Sequence, residues 1–181
     1  MDCLQKGEEA IMKYSVQAFA LTLILFTAPA VAQRDLPEYL QPIHGTANLS
    51  AGFSSDGPLE VEIPFAGNEP MEDRLRQYDG DIWKCGGDTT IPPAMHLLVD
   101  SSTTALHFRV YEDKSFVGDV TFGLLKPDGS VVCDKGGNYN EPLLLSIEAP
   151  MPGSYFIWLG NGLFSDDDSI VSVAINETSL E

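Results

Sequence analysis

The chain has 181 residues and carries 27 acidic against 10 basic side chains, a formal net charge of −17 at pH 7. Grip on a phosphate backbone calls for clustered Lys and Arg, so this balance argues against a nucleic-acid partner. With 44% hydrophobic residues, the chain has enough apolar material for one domain with a full core.

The first element in chain order is a targeting segment. Met12 and Lys13 open a weakly basic stretch, residues 18–31 form an almost unbroken apolar run, and Ala30-Val31-Ala32 fits the small-x-small cleavage rule. Residues 1–32 therefore read as a signal peptide cut before Gln33. Residues 1–11 carry Asp2, Glu8 and Glu9 against Lys6, whereas signal peptides begin with positive charge, so Met12 is the expected start. A membrane anchor is the alternative, because the uncharged stretch 15–33 approaches the roughly 20 apolar residues that a span requires. The Ala-x-Ala end and the polar residues behind it favour cleavage, leaving no membrane span in the mature chain. A secreted or periplasmic location follows.

The mature chain keeps two cysteines, Cys85 and Cys133, and an oxidising compartment joins such a pair. A loop of that length adds about 4 kcal/mol through unfolded-state entropy. Two separate buried thiols are the other reading. A metal site has less to build on, since no CxxC spacing or nearby histidine accompanies either cysteine.

Residues 33–44 hold Pro37 and Pro42 without periodicity and read as a flexible entry tail. A brief strand is expected over residues 47–51. Leu59, Val61, Ile63 and Phe65 then alternate with Glu60 and Glu62, the pattern of a half-buried strand. Residues 67–93 are irregular, with room for one helical turn in the charged stretch 69–77, then Asp79-Gly80-Asp81, Trp83 and a closing Pro92-Pro93. Loops this long are often functional, although a disulfide at Cys85 would equally give this one a structural purpose.

A regular series follows. Met95, Leu97 and Val99 alternate, then Leu106, Phe108 and Val110 with His107, Arg109 and Tyr111 opposite, then Val120, Phe122 and Leu124. Lys126-Pro127-Asp128-Gly129 suits a reversal into a short strand over residues 131–133. Leu143, Leu145 and Ile147 line one side of the next run, and Tyr155, Ile157 and Leu159 one side of the run after it. Pro150, Met151, Pro152 and Gly153 make a tight corner between these two runs, which read as a central pair onto which the rest packs. Residues 170–175 form the last strand and residues 177–181 a C-terminal tail. About eight to nine strands at near-regular spacing, with no convincing helix, predict a single all-β domain, an antiparallel β-sandwich of the Greek-key or jelly-roll type.

Four segments in this order carry a family resemblance: Leu49-x-x-Gly52-Phe53-x-x-Asp56; Cys85-Gly86-Gly87 with Pro93 and Leu97; Pro127-Asp128-Gly129-x-x-x-Cys133-Asp134; and Pro152-Gly153-x-Tyr155-x-Ile157-Trp158-Leu159-Gly160. Over residues 46–176 the chain resembles the bacterial pre-peptidase C-terminal (PPC) domains, and the domain is accordingly drawn over residues 45–176. The resemblance implies a β-sandwich, paired cysteines, and a role beside secreted proteases in export, localisation or adhesion. Some related sandwiches bind calcium or collagen. The chain departs from the family in having no peptidase domain. After Cys133-Asp134 it continues Lys135-Gly136-Gly137, where the family more often shows acids, which weighs against calcium in that loop.

Catalytic chemistry has little to work with. The mature histidines are His44, His96 and His107, all expected at the surface, and neither a Gly-x-Ser-x-Gly elbow nor an HExxH helix occurs. Candidate calcium ligands are Asp79 and Asp81 in the long loop and Asp166, Asp167 and Asp168 after the last aromatic run. Neither group has the D-x-D-x-D-G spacing of a calcium loop, and solvated turns are the plainer reading. The aromatics offer more. If one sheet face meets water, Phe156 and Trp158 form a surface binding patch; alternatively a segment such as 161–169, with Phe164, covers them. The expected function is an exported non-catalytic binding or accessory module with a protein or carbohydrate partner and no cofactor. A secreted hydrolase of unrecognised type and a calcium-stabilised accessory domain are the alternatives.

Overall fold

A computed structural model describes residues 36–64, 67–112, 120–136, 142–161 and 170–178. The segment expected to be a signal peptide, Phe65, Phe164 and Asp166, Asp167 and Asp168 lie outside the described residues. The alternating runs become two facing sheets. In chain order the elements are β1 (Thr46–Leu49), β2 (Leu59–Pro64), β3 (Glu69–Pro70), α1 (Met71–Leu75), β4 (Asp79–Gly80), β5 (Asp88–Thr89), β6 (Met95–Val99), β7 (Ala105–Glu112), β8 (Val120–Leu125), β9 (Ser130–Lys135), β10 (Leu143–Glu148), β11 (Gly153–Asn161) and β12 (Ile170–Asn176). The larger sheet runs β1-β6-β11-β8-β9-β4, with β5 against β11 and β3 against β5; the four-stranded sheet runs β10-β7-β12-β2. Among the described residues no helix is long and apolar enough to cross a membrane.

Period-2 alternation sends one apolar set from each strand into the space between the sheets. Leu97, Leu106, Phe108, Val110, Phe122, Leu124, Tyr155, Ile157, Val171, Val173 and Ile175 are buried there, with Phe108 and Phe122 in tilted contact at 5.3 Å. The expected all-β sandwich is what forms. Its edges are less uniform than a purely antiparallel pattern, because β1 runs parallel to β6 and β4 parallel to β9.

The corner before β11 differs from its reading. The runs on either side of it do not pair with each other: β10 lies against β7 in the four-stranded sheet, while β11 sits at the centre of the larger one, between β6 and β8. Pro150 and Pro152 have no N–H to give a ladder, and the corner that holds them carries the chain across the sandwich from one sheet to the other. Ala149 turns through φ +48° and Gly153 through φ +140°. A Cβ on Gly153 would sit 2.9 Å from the Pro127 side chain, so glycine is needed there for space as well as for φ. The Tyr155 hydroxyl ties the corner down by donating to the Met151 carbonyl at 2.9 Å, in the manner of a tyrosine corner.

Both ends of the domain are also more ordered in packing than expected. From residue 36 the supposed entry tail lies on the domain: Leu36 and Leu40 pack against a second apolar cluster, and the N–H groups of Ile43 and His44 donate to Pro93 and Ala94 at 3.0 and 2.9 Å. Leu40 closes a short 3-10 turn, Glu38–Leu40, and Leu36 precedes it. Glu177 is a clamp. Its carboxylate accepts the N–H of Gly52 at 2.5 Å and of Thr104 at 3.4 Å, and its own N–H reaches Ser54 at 3.1 Å.

The outer face of the larger sheet is not left to water. Strand register sets three rows across it: His96, Phe156, Leu125 and Val131; then Trp158, Gly123 and Cys133; then Gly160, Thr121 and Lys135. The two glycines make a shallow window beside the indole of Trp158, and α1 lays Met71 and Leu75 into it. A Cβ on Gly123 would come within 3.1 Å of both side chains. At Gly160 it would meet the Gly86 carbonyl oxygen and Met71 Cε, each at 2.7 Å. Because one of those neighbours is backbone, Gly160→Ala is expected to cost about 1–3 kcal/mol. Chemical denaturation would measure it; wild-type stability would show that the covering segment is not seated on this window.

Candidate functional site

The covering segment, residues 69–88, is a cap built from sparse material. Met71 and Leu75 stand four apart on α1 and therefore share a face; both are fully buried. Arg76 holds Asp73 at 2.6 Å and Glu72 at 3.7 Å on the exposed side, pairs of little energetic weight in water. The Met71 N–H donates to Gly87 at 2.9 Å, and Thr89, itself buried, donates its hydroxyl to the Leu159 carbonyl at 2.8 Å, so the far end of the cap is tied to β11. Its middle is tied covalently. Cys85 and Cys133 form a disulfide with Cα atoms 5.3 Å apart, joining the cap to β9.

A 3-10 turn, Ile82–Lys84, leads into Cys85. With three residues per turn, Ile82 and Cys85 fall on one side and both pack against the cluster beneath. Trp83 is thereby turned outward. It is 73% exposed, the largest exposure among the bulky apolar side chains described. The Lys84 ammonium stands 5.2 Å from the centre of its ring and 3.8 Å from Asp81 Oδ2.

Phe156 and Trp158 take the opposite role. They are 6% and 0% exposed, which agrees with the alternative that the pair is covered and not with a surface patch. Neither faces water, because their side of the sheet is the one that the cap and disulfide cover, with Tyr78, Ile82, Leu36 and Leu40 at its margin. His96, expected at the surface, is also buried, on the same face. It alternates away from the main core as its position on β6 requires, yet stacks on Phe156 at 4.6 Å with planes 9° apart. Its Nδ1 shares a hydrogen bond with the Thr46 hydroxyl at 3.1 Å.

No protein-family model and no curated protein matches this chain. Among solved structures it is similar to Aeromonas hydrophila PliG, a periplasmic lysozyme inhibitor of g-type lysozyme, with 12% identity and a TM-score of 0.31 over 73% of this chain and 98% of that one. It is also similar to BiXyn10A CBM1 in its apo form, with 12% identity and a TM-score of 0.27 over 66% of this chain and 97% of that one.

The remaining candidates are scattered. Asp79 lies exposed on β4, whose backbone pairs with β9, and Asp81 faces Lys84. Among the described residues no three His, Cys, Asp or Glu side chains are placed to hold a metal ion. His107 shares a hydrogen bond with Ser146 at 2.8 Å on the outer face of the four-stranded sheet. His44 borders an apolar cavity of about 90 Å³ lined by Ile43, Ile63, Pro64, Thr90, Ala94 and Leu159. His44 and His96 are neighbours where the chain enters β1, since the His96 N–H donates to the Gly45 carbonyl at 3.1 Å, whereas His107 lies on the other sheet.

Burial lowers the His96 pKa from its ordinary value of 6.5. The unfolded chain then binds a proton that the folded one refuses, so stability falls as pH drops below about 6.5 and recovers as it rises. His96→Gln is expected to flatten that part of the stability profile. Unfolding midpoints between pH 7.5 and 5.5 would show it, and an unchanged slope would mean that the ring is not buried in the folded protein.

Proposed function

We propose that this protein is an exported, non-catalytic binding module of the pre-peptidase C-terminal type, and that it meets its partner through the cap that carries Trp83. The observation that supports this most is the contrast between the two tryptophans, one fully buried and the other 73% exposed on a segment braced by a disulfide. A large aromatic held in water by a rigid support gains from burial only when something docks on it, and such anchors carry much of the energy of an interface. Rigid support also lowers the entropy lost on docking. Export is supported by the disulfide, which persists in oxidising compartments, together with the signal-type residues 1–32.

The test is an activity screen of the purified mature protein against casein and polysaccharides. The binding-module reading expects no turnover above buffer. Sustained turnover that a single substitution abolishes would replace it with the hydrolase reading.

A further inference from the structure

We infer that Trp83 and Asp81 form a recognition spot for an arginine or lysine side chain of a basic protein partner, and that Lys84 fills this spot in the free protein. This rests on the binding-module reading. The Lys84 ammonium lies between a carboxylate at 3.8 Å and an indole ring at 5.2 Å. Those are the two groups that hold a cation at a protein surface, one by charge and one through the ring quadrupole. Lys84 is itself 44% exposed at its side chain, so it holds the place without sealing it.

The surroundings favour the same sign of partner. The other basic groups of the cap are already engaged: Arg74 lies over the Tyr39 ring at 5.6 Å and donates to the Tyr39 carbonyl at 3.1 Å, and Arg76 is held by Asp73 and Glu72. Glu69, Asp79 and Asp88 remain exposed on the same segment. On a chain with a net charge of −17, a positive partner is drawn in by the whole surface and placed by the spot. Guanidinium suits the spot better than ammonium, because its plane stacks on indole while its edge pairs with a carboxylate.

The probe is octa-arginine, titrated into the full mature protein at low salt while tryptophan emission is followed. Trp158 is buried, so a saturable change belongs to Trp83 and disappears in Trp83→Phe emission controls. Trp83→Ala and Asp81→Asn are each expected to weaken binding roughly fivefold or more. Lys84→Met is expected to tighten it, and by more than Arg76→Gln, which removes the same charge from the same cap. Three results would overturn the inference: no saturable binding of octa-arginine, equal affinity in Trp83→Ala, or a response to neutral chitohexaose in place of the peptide. Each leaves the binding-module reading standing, since that reading fails only on turnover in the activity screen.

Discussion

Replacing Cys85 and Cys133 together with alanine lowers the unfolding free energy by about 4 kcal/mol, the value expected for opening a crosslinked loop of this length. The bond spans 48 positions in sequence, and both sulfurs are buried under the cap. Most of the loss arises in the denatured chain, which gains the freedom that the bond had removed. Urea unfolding of the variant should therefore show a steeper dependence on denaturant as well as a lower midpoint, because a less constrained chain exposes more surface. The main core between the sheets shares no residue with the disulfide, so far-UV circular dichroism in the absence of urea should keep its β signature. An unchanged midpoint would mean that the cap contributes nothing to the cooperative unit.

Trp158→Ala is the second large effect. The indole is fully buried, with Gly123 and then Cys133 as its neighbours across the sheet. Truncation leaves a cavity roofed by Met71 and Leu75, and large-to-small changes of this kind cost about 3–5 kcal/mol. Trp83→Ala, on the exposed side of the cap, should stay within about 0.5 kcal/mol of wild type. The Trp158 and cysteine substitutions touch one cluster, so their combined effect should fall short of the sum. Equal losses at the two tryptophans would contradict the assignment of one as core and the other as surface.

The layout of strands was legible in the residues themselves. Alternation at Leu106, Phe108 and Val110, or at Tyr155, Ile157 and Leu159, is a local signal, and each set faces the core that it implies. Partners and layers are not local. Nothing around Pro150 and Pro152 says to which sheet the next strand goes, so the residues suggest the centre of a pair where the fold has a crossing between sheets. Trp158 and Phe156 alternate as an outward set, and outward means water only where nothing else lies on the sheet. What covers them comes from Met71, Leu75 and Cys85, far away in the chain, and α1 is too short to announce itself by periodicity.

Trp83 is hard to place from sequence for a related reason. It stands in a stretch without strand or helix pattern, where an aromatic residue has no predicted facing. A signal was present in the spacing of three between Ile82 and Cys85, which in a tight turn puts both on the buried side and sends Trp83 outward. Carboxylates gave no such handle: the chain holds 27, and sequence alone does not distinguish Asp81, which faces Lys84, from the rest.

The most direct test of a sealed sheet face with one tryptophan beneath the cap and one upon it is acrylamide quenching of the oxidised mature protein. Two classes of emission are expected: an accessible one that vanishes in Trp83→Phe, and a protected, blue-shifted one that vanishes in Trp158→Phe. Two equally accessible tryptophans in folded, oxidised material would contradict the account.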